Sequence, residues 1–184
     1  MDTPTLTSSR LVLRPLKITD APSIQQYFAH WDVIKNMGPA VPWPYPENGA
    51  ECFLRESALP RAEKGEAHLW AITLKGLEAD CVGVMEFRLE ANEEGHRGFW
   101  LAQHLWGQGL MTEAVFAIND YVFDVLGYDE IIETNADFNE ASRILKQKSG
   151  GVLINTRIKK NPGRESDRIS EVWSIKRAGW QAIR

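Results

Sequence analysis

The residues best placed to do chemistry lie mid-chain, in Leu101-Ala102-Gln103-His104-Leu105-Trp106-Gly107-Gln108-Gly109-Leu110-Met111-Thr112-Glu113-Ala114. A strand-like run from Gly98 to Ala102 feeds a loop with two glycines one residue apart, and a helically patterned segment follows at once. That order places unpaired backbone N–H groups at a helix N-terminus, where they can hold a phosphate. Glycine suits such a loop because a Cβ would obstruct the approach of the backbone to an anion.

Several phosphate chemistries compete for this loop. A Walker A loop needs a Gly-Lys-Ser/Thr ending, which is absent. A dinucleotide fingerprint needs a third glycine, and Thr112 stands there; Glu130 does lie about 20 residues on, where the ribose-binding acid of that fold would be. Against that reading, the loop follows a run of β-like segments, with too few βαβ units left for a doubly wound sheet. An ordinary tight turn between strand and helix is the plainest alternative.

Composition narrows the class. With 184 residues the chain is long enough for one full hydrophobic core, and a single domain is expected over 1–184. A formal net charge of −4 speaks against a nucleic-acid-wrapping protein. Lys159, Lys160, Arg164 and Arg168 cluster locally, as solvated loop charge or as a small basic patch. No apolar run approaches the ~18 residues of a membrane span, and the start Met1-Asp2-Thr3-Pro4 has no signal-peptide pattern. Cys52 and Cys81 lack metal-ligand spacing, so reduced thiols in a cytoplasmic protein without a metal are expected.

The elements that must position the loop can be read from pattern. Arg10–Arg14 alternates and is stopped by Pro15, a first strand near an edge. Thr19 or Asp20 caps a helix beginning near Ala21 and Pro22. The segment from Gly38 to Pro46 holds four prolines and is neither helix nor central strand. A second helix is expected over Glu47–Lys64, shortened or kinked by Pro60. His68–Leu74 and Cys81–Leu89 read as a hairpin, and Arg97–Ala102 as the strand that enters the loop. Leu110, Ala114, Ile118 and Val125 carry the helical period, with Gly127 as the stop. Then come a strand at Asp129–Thr134, a helix at Asn139–Lys148, a strand at Val152–Ile158, a polar turn at 159–167 and a last strand at Ile169–Lys176.

The loop resembles the acyl-CoA pyrophosphate loop of the GCN5-related N-acetyltransferase (GNAT) family, Gln/Arg-x-x-Gly-x-Gly/Ala, with His104 in place of the first Gln/Arg. The surrounding words are similar to those of the ribosomal-protein N-terminal acetyltransferase subgroup. They include Arg10-Leu11-Val12-Leu13-Arg14-Pro15-Leu16, Asp20-Ala21, Gly98-Phe99-Trp100-Leu101, Asn139-Glu140-Ala141-Ser142 and Lys148-Ser149-Gly150, in the family's order across nearly the whole chain. The resemblance implies an α/β fold with a mostly antiparallel, twisted sheet, split near Gly98–Ala102 and Asp129–Thr134 and flanked by helices on both faces. It implies direct transfer of an acetyl group from acetyl-CoA to an amine, either a protein N-terminus or a small molecule, in a monomer or homodimer. A catalytically silent acyl-CoA-binding protein of the same fold is the alternative.

On that resemblance the N–H groups of Trp106, Gly107, Gln108, Gly109 and Leu110 hold the pyrophosphate, and Thr112 adds a hydroxyl. A strand N–H near Leu101 or Ala102 stabilises the oxyanion. Asn139 meets the pantetheine, or serves only as a helix N-cap. Ser142 stands near the sulfur as the acid for the leaving thiolate; the tyrosine many relatives use is replaced by Lys146. Where relatives place a glutamate base this chain has His96, which titrates near neutrality or is a half-exposed strand residue. Glu86, or Glu94 through a water, could reach the same cleft. An acceptor α-amine ionises at about 8 against about 10.4 for lysine, so a side-chain base is optional. Trp43 and Tyr45, held by prolines, shape an amine pocket or merely cover the core.

Overall fold

The computed structural model describes residues 2–38, 40–159 and 167–184. The chain opens with β1 (Leu6–Thr7) and β2 (Leu11–Pro15), followed by α1 (Ala21–Phe28) and α2 (Trp31–Ile34). After the proline-rich segment come α3 (Gly49–Phe53), a π turn at Leu54–Ala58 and α4 (Leu59–Glu63). The helix expected over Glu47–Lys64 is therefore one continuous helical stretch, widened just ahead of Pro60. Proline brings no N–H to the ladder and its ring crowds the preceding turn, which the wider turn relieves.

Next are β3 (Ala67–Leu74), β4 (Gly83–Asn92) and β5 (Gly95–Leu101), then α5 (Leu110–Asp120), β6 (Glu130–Ala136) and α6 (Glu140–Lys148). The chain ends with β7 (Val152–Lys159), β8 (Arg168–Lys176) and α7 (Arg177–Ile183). Pattern reading misses β1, α2 and α7, which have two, four and seven residues, too few to show a period. Of the polar turn expected over 159–167, positions 160–166 lie outside the described residues.

The strands form one sheet in the order β1-β2-β3-β4-β5-β6-β8-β7. The β1–β5 meander and the β6-β8-β7 group are antiparallel throughout. β3 is buried on both faces along nearly its whole length, as a central strand must be. On one face Leu11, Leu13, Ile72, Met85 and Phe87 pack against Leu110, Ala114 and Ile118 of α5 and Trp180 of α7. On the other, Leu69, Ala71, Val84 and Trp100 pack against Ile24 and Phe28 of α1 and Ala50, Leu54 and Ala58 beyond it. Helices thus cover both faces, as the family resemblance implies.

The join between the two halves of the sheet is short. β5 and β6 meet at one backbone pair, Gly95 opposite Glu133, and then part. Gly95 makes that approach possible: its φ is +78°, and a Cβ there would lie 2.5 Å from the Ile132 carbonyl oxygen. His96 adds a second tie, its Nδ1 accepting the Ile132 N–H at 2.9 Å.

Gly95→Ala should therefore lower stability by about 1–3 kcal/mol from backbone strain alone, with the contact to Ile132 adding to the loss. Chemical denaturation of the two proteins measures it; a change within error would mean that the strands do not approach as described.

Candidate functional site

The site grows from what β5 does with its backbone after Gly95. In the β4–β5 ladder Gly83 faces Leu101, and one step further the Ala102 N–H donates to the Val82 carbonyl at 2.8 Å. Antiparallel pairing alternates, so residues 82 and 102 turn their polar groups toward each other and residues 83 and 101 turn theirs away. The Leu101 N–H consequently points into the space that β6 has vacated, and the same alternation turns Phe99 that way. Of the two residues expected near the oxyanion, Ala102 has its N–H engaged with Val82, and Leu101 has its N–H turned away from β4. The Leu101 carbonyl is taken by the Trp106 indole N–H at 2.7 Å.

Beyond Leu101 the chain makes a tight turn and enters α5. The Trp106 N–H, expected among the phosphate donors, donates to the Gln103 carbonyl at 3.1 Å. Gly107 and Gly109 have φ of +74° and +76°, in the left-handed region that side chains rarely adopt. A Cβ on Gly107 would meet nothing within 4 Å. Conformation, then, rather than crowding, calls for glycine here, and residues 107–109 stand exposed immediately before α5. Thr112 sits in the first turn of that helix.

Arg10 braces the loop from β2. Its Nη1 donates to the Gln108 carbonyl at 3.1 Å, and its Nε and backbone N–H reach Glu113 at 2.8 and 2.6 Å. The Ser8 hydroxyl donates to the same carboxylate at 2.7 Å. Burial pushes the Glu113 carboxyl up, but the bonds from Arg10 and Ser8 prevail and hold it below its ordinary value. The Arg10 side chain is 49% exposed, so the ion pair is worth only about 0–1 kcal/mol. Its consequence is geometric: it holds the loop against the sheet. Sequence reading quoted both residues and gave neither a role, because 103 positions separate them.

Under the fork lies a buried charge cluster. The Arg97 guanidinium pairs with Glu133 on β6 and donates to the Asn119 amide oxygen on α5 at 2.7 Å. Lys146 of α6 lies 3.6 Å from the other Glu133 oxygen, and its ammonium donates to the Ser142 hydroxyl at 2.7 Å. The same Nζ stands 5.8 Å from the centre of the Phe99 ring on β5. Arg97, Glu133 and Lys146 have side chains only 1–2% exposed. Burial first, and then the neighbouring Arg97 cation, pull the Lys146 ammonium down to about 7, with Glu171 opposing. Asn139 caps α6, its side-chain oxygen accepting the Ser142 N–H at 3.1 Å.

The expected bases are placed otherwise. His96 is 9% exposed, stacked on Phe87 at 5.5 Å and edge-on to Tyr128. Its Nδ1 lies 2.9 Å from the Ile132 amide nitrogen and 3.3 Å from the Ile132 carbonyl oxygen, so that nitrogen is engaged by the β6 backbone. Burial also lowers its pKa. Structurally it bridges β5 and β6. Glu86 has one oxygen on Arg61 and the other on Arg88 at 3.0 Å, so both are engaged. Glu94 pairs with Lys159.

On the acceptor side, Trp43 is 48% exposed and rests on Trp31 at 5.2 Å. Tyr45 turns inward against Phe28 at 5.1 Å, and burial pushes its hydroxyl up to about 12. Tyr45 thus covers the core, and Trp43 is the one of the pair that offers a face to solvent. In the basic cluster Arg168 donates to the Met37 carbonyl, while Lys160 and Arg164 lie outside the described residues.

Comparison with known proteins places the chain among acetyltransferases by family and fold. The family model described as acetyltransferase (GNAT) domain matches residues 10–152. An N-acetyltransferase called p20 from Bacillus licheniformis is 27% identical over 129 residues, 69% of this chain and 70% of that protein. A GNAT-family acetyltransferase from Bacillus anthracis has a similar structure, with TM-score 0.78 and 20% identity over 94% of this chain and 98% of that one. RimL, a ribosomal L7/L12 alpha-N-protein acetyltransferase solved with coenzyme A, has TM-score 0.77 and 16% identity, with the same coverage of both chains.

The buried cluster gives a stability prediction with a definite sign. The Lys146 pKa is lower folded than unfolded, so between about pH 7 and about pH 10 the unfolded chain binds more protons and stability rises with pH. Relative to Lys146→Met, the parent protein should gain a few kcal/mol over that range. Denaturation of both proteins across pH checks it; a constant difference would contradict the placement of Lys146.

Proposed function

Since the chain belongs to the acetyltransferase (GNAT) domain family, we propose that it moves an acetyl group from acetyl-CoA directly to a primary amine with no covalent enzyme intermediate. The observation that carries this reading is the Leu101 N–H, turned away from β4 one short turn before the exposed glycine loop that opens α5. A pyrophosphate on Gly107, Gln108, Gly109 and Leu110, with Thr112 alongside, puts the pantetheine against β5 and the thioester carbonyl near Leu101. A preorganised N–H at that point favours the charge that develops on oxygen.

The remaining residues complete the step. Asn139 uses its oxygen as a cap and has its NH2 left for the pantetheine amide. Ser142 supplies the hydroxyl nearest the departing sulfur. With His96 and Glu86 both engaged, the acceptor loses its proton to water, which favours an amine of low pKa. Near neutral pH roughly a hundred times more of an α-amine than of a lysine side chain is uncharged. A protein N-terminus or a small α-amine on the Trp43 side is therefore the acceptor. The activity named for RimL, on a protein α-amine, is of this kind.

Release of coenzyme A from acetyl-CoA over a panel of amines tests the reading, with α-amines expected to outpace side-chain-like amines. Gly109→Val, strained at a φ of +76°, should weaken coenzyme A binding about tenfold or more, a loss of about 1.4 kcal/mol. Unweakened binding would remove the loop from the donor site, and binding without turnover of any amine would leave an acyl-CoA-binding protein.

A further inference from the structure

We propose that Lys146 is the source of the proton that reaches the departing thiolate, handed on through the Ser142 hydroxyl. This rests on the acetyl-transfer reading above. Lys146 acts through Ser142 and is a positioning residue; Ser142 is the group that meets the sulfur.

The Lys146 ammonium stands where β5, β6 and α6 meet. It spans the fork, 5.8 Å from the Phe99 ring on β5, 3.6 Å from Glu133 on β6 and 2.7 Å from the Ser142 hydroxyl on α6. Because Lys146 donates to Ser142 Oγ, the hydroxyl proton must point elsewhere, and the Ser142 N–H is already fixed on Asn139. A serine that gave up its proton alone would become an alkoxide, a far stronger base than a thiolate. A lysine at hydrogen-bond distance removes that obstacle by replacing the proton as it leaves.

The surrounding charge makes the lysine proton transferable. Arg97 and Lys146 face a single carboxylate, Glu133, and Arg97 makes the closer contact. Asn119 on α5 is neutral, and Glu171 on β8 is already held by Arg143 and Asn135. Guanidinium keeps its proton under all ordinary conditions, so the surplus charge of the cluster is the one on Lys146. In agreement, burial and Arg97 bring that ammonium down to about 7, making it a stronger acid than an ordinary thiol of about 8.5.

The step balances. The neutral amine nitrogen forms a bond to the acetyl carbon, and the carbonyl π pair moves to oxygen at the Leu101 N–H. The oxyanion collapses, the C–S bond breaks and its electron pair leaves on sulfur. The Ser142 hydroxyl proton passes to sulfur, and a Lys146 proton replaces it. The extra proton on the new amide nitrogen goes to water, and water returns one to Lys146 before the next turnover.

The test is the pH dependence of kcat between about pH 6 and about pH 10, using acetyl-CoA and an amine that the wild-type enzyme acetylates. The acid must be protonated, so wild-type kcat should fall as pH rises through the Lys146 pKa. Lys146→Met and Ser142→Ala should each lower kcat at neutral pH about tenfold or more, keep the KM for acetyl-CoA within about threefold, and erase the alkaline fall. Ser142→Thr, which keeps the hydroxyl, should restore both. If Lys146→Met fails to fold, the two Ser142 variants decide. An alkaline fall that survives Lys146→Met, or Ser142→Ala where that variant alone is available, overturns the proposal. So does a loss confined to KM. A wild-type chain that binds coenzyme A and acetylates no amine overturns the acetyl-transfer reading and this proposal with it. Turnover with unchanged variants overturns this proposal alone.

Discussion

Everything at the site depends on one interruption in a hydrogen-bonded sheet. β5 and β6 share one backbone pair at Gly95 and Glu133 and then separate, which leaves alternate N–H and C=O groups of β5 without a strand partner. Backbone polar groups turned away from water need a partner. The Trp106 indole supplies one for the Leu101 carbonyl, and the Leu101 N–H remains directed into the gap. A thioester with its amide-bearing arm is a ligand of the right chemistry to fill such a gap, because it brings its own carbonyls and N–H groups in sequence.

The buried charge cluster beside the gap is costly by the ordinary rules of packing. Hydrophobic residues could join β5, β6 and α6 at least as well as Arg97, Glu133 and Lys146, since burying ions offsets much of their mutual attraction. Removing Glu133 is expected to cost about 3–5 kcal/mol, because the Arg97 and Lys146 charges would then stand buried without their shared counter-ion. The cluster sits where the strands part and touches Ser142, the hydroxyl assigned to the leaving group.

The sequence made the local features legible. The glycine loop, the period of α5, the β3–β4 hairpin and the cap at Asn139 depend on neighbours within a few positions, and all are present. Motif order likewise pointed to the family. What stayed hidden rests on distant pairings. His96 looks like a base until Ile132, 36 residues on, takes its Nδ1. Glu86 looks available until Arg61 and Arg88 close on it. Lys146 lies within a helix that also carries Lys148 and Arg143, and nothing in that spacing tells a buried lysine from a solvated one. Glycine at position 107 serves a left-handed backbone, a conformation that pattern alone does not reveal.

On the proposed reading the donor lies along the open edge of β5, with its phosphates on the start of α5. Amide hydrogen exchange, resolved residue by residue with and without acetyl-CoA, addresses it most directly. The account predicts slowed exchange at Phe99, Leu101 and Gly107 to Leu110, and little change at Ala102 and Trp106, whose N–H groups are already bonded to Val82 and Gln103. Protection elsewhere on the molecule, with the β5 edge and the glycine loop exchanging as in the free protein, would contradict it.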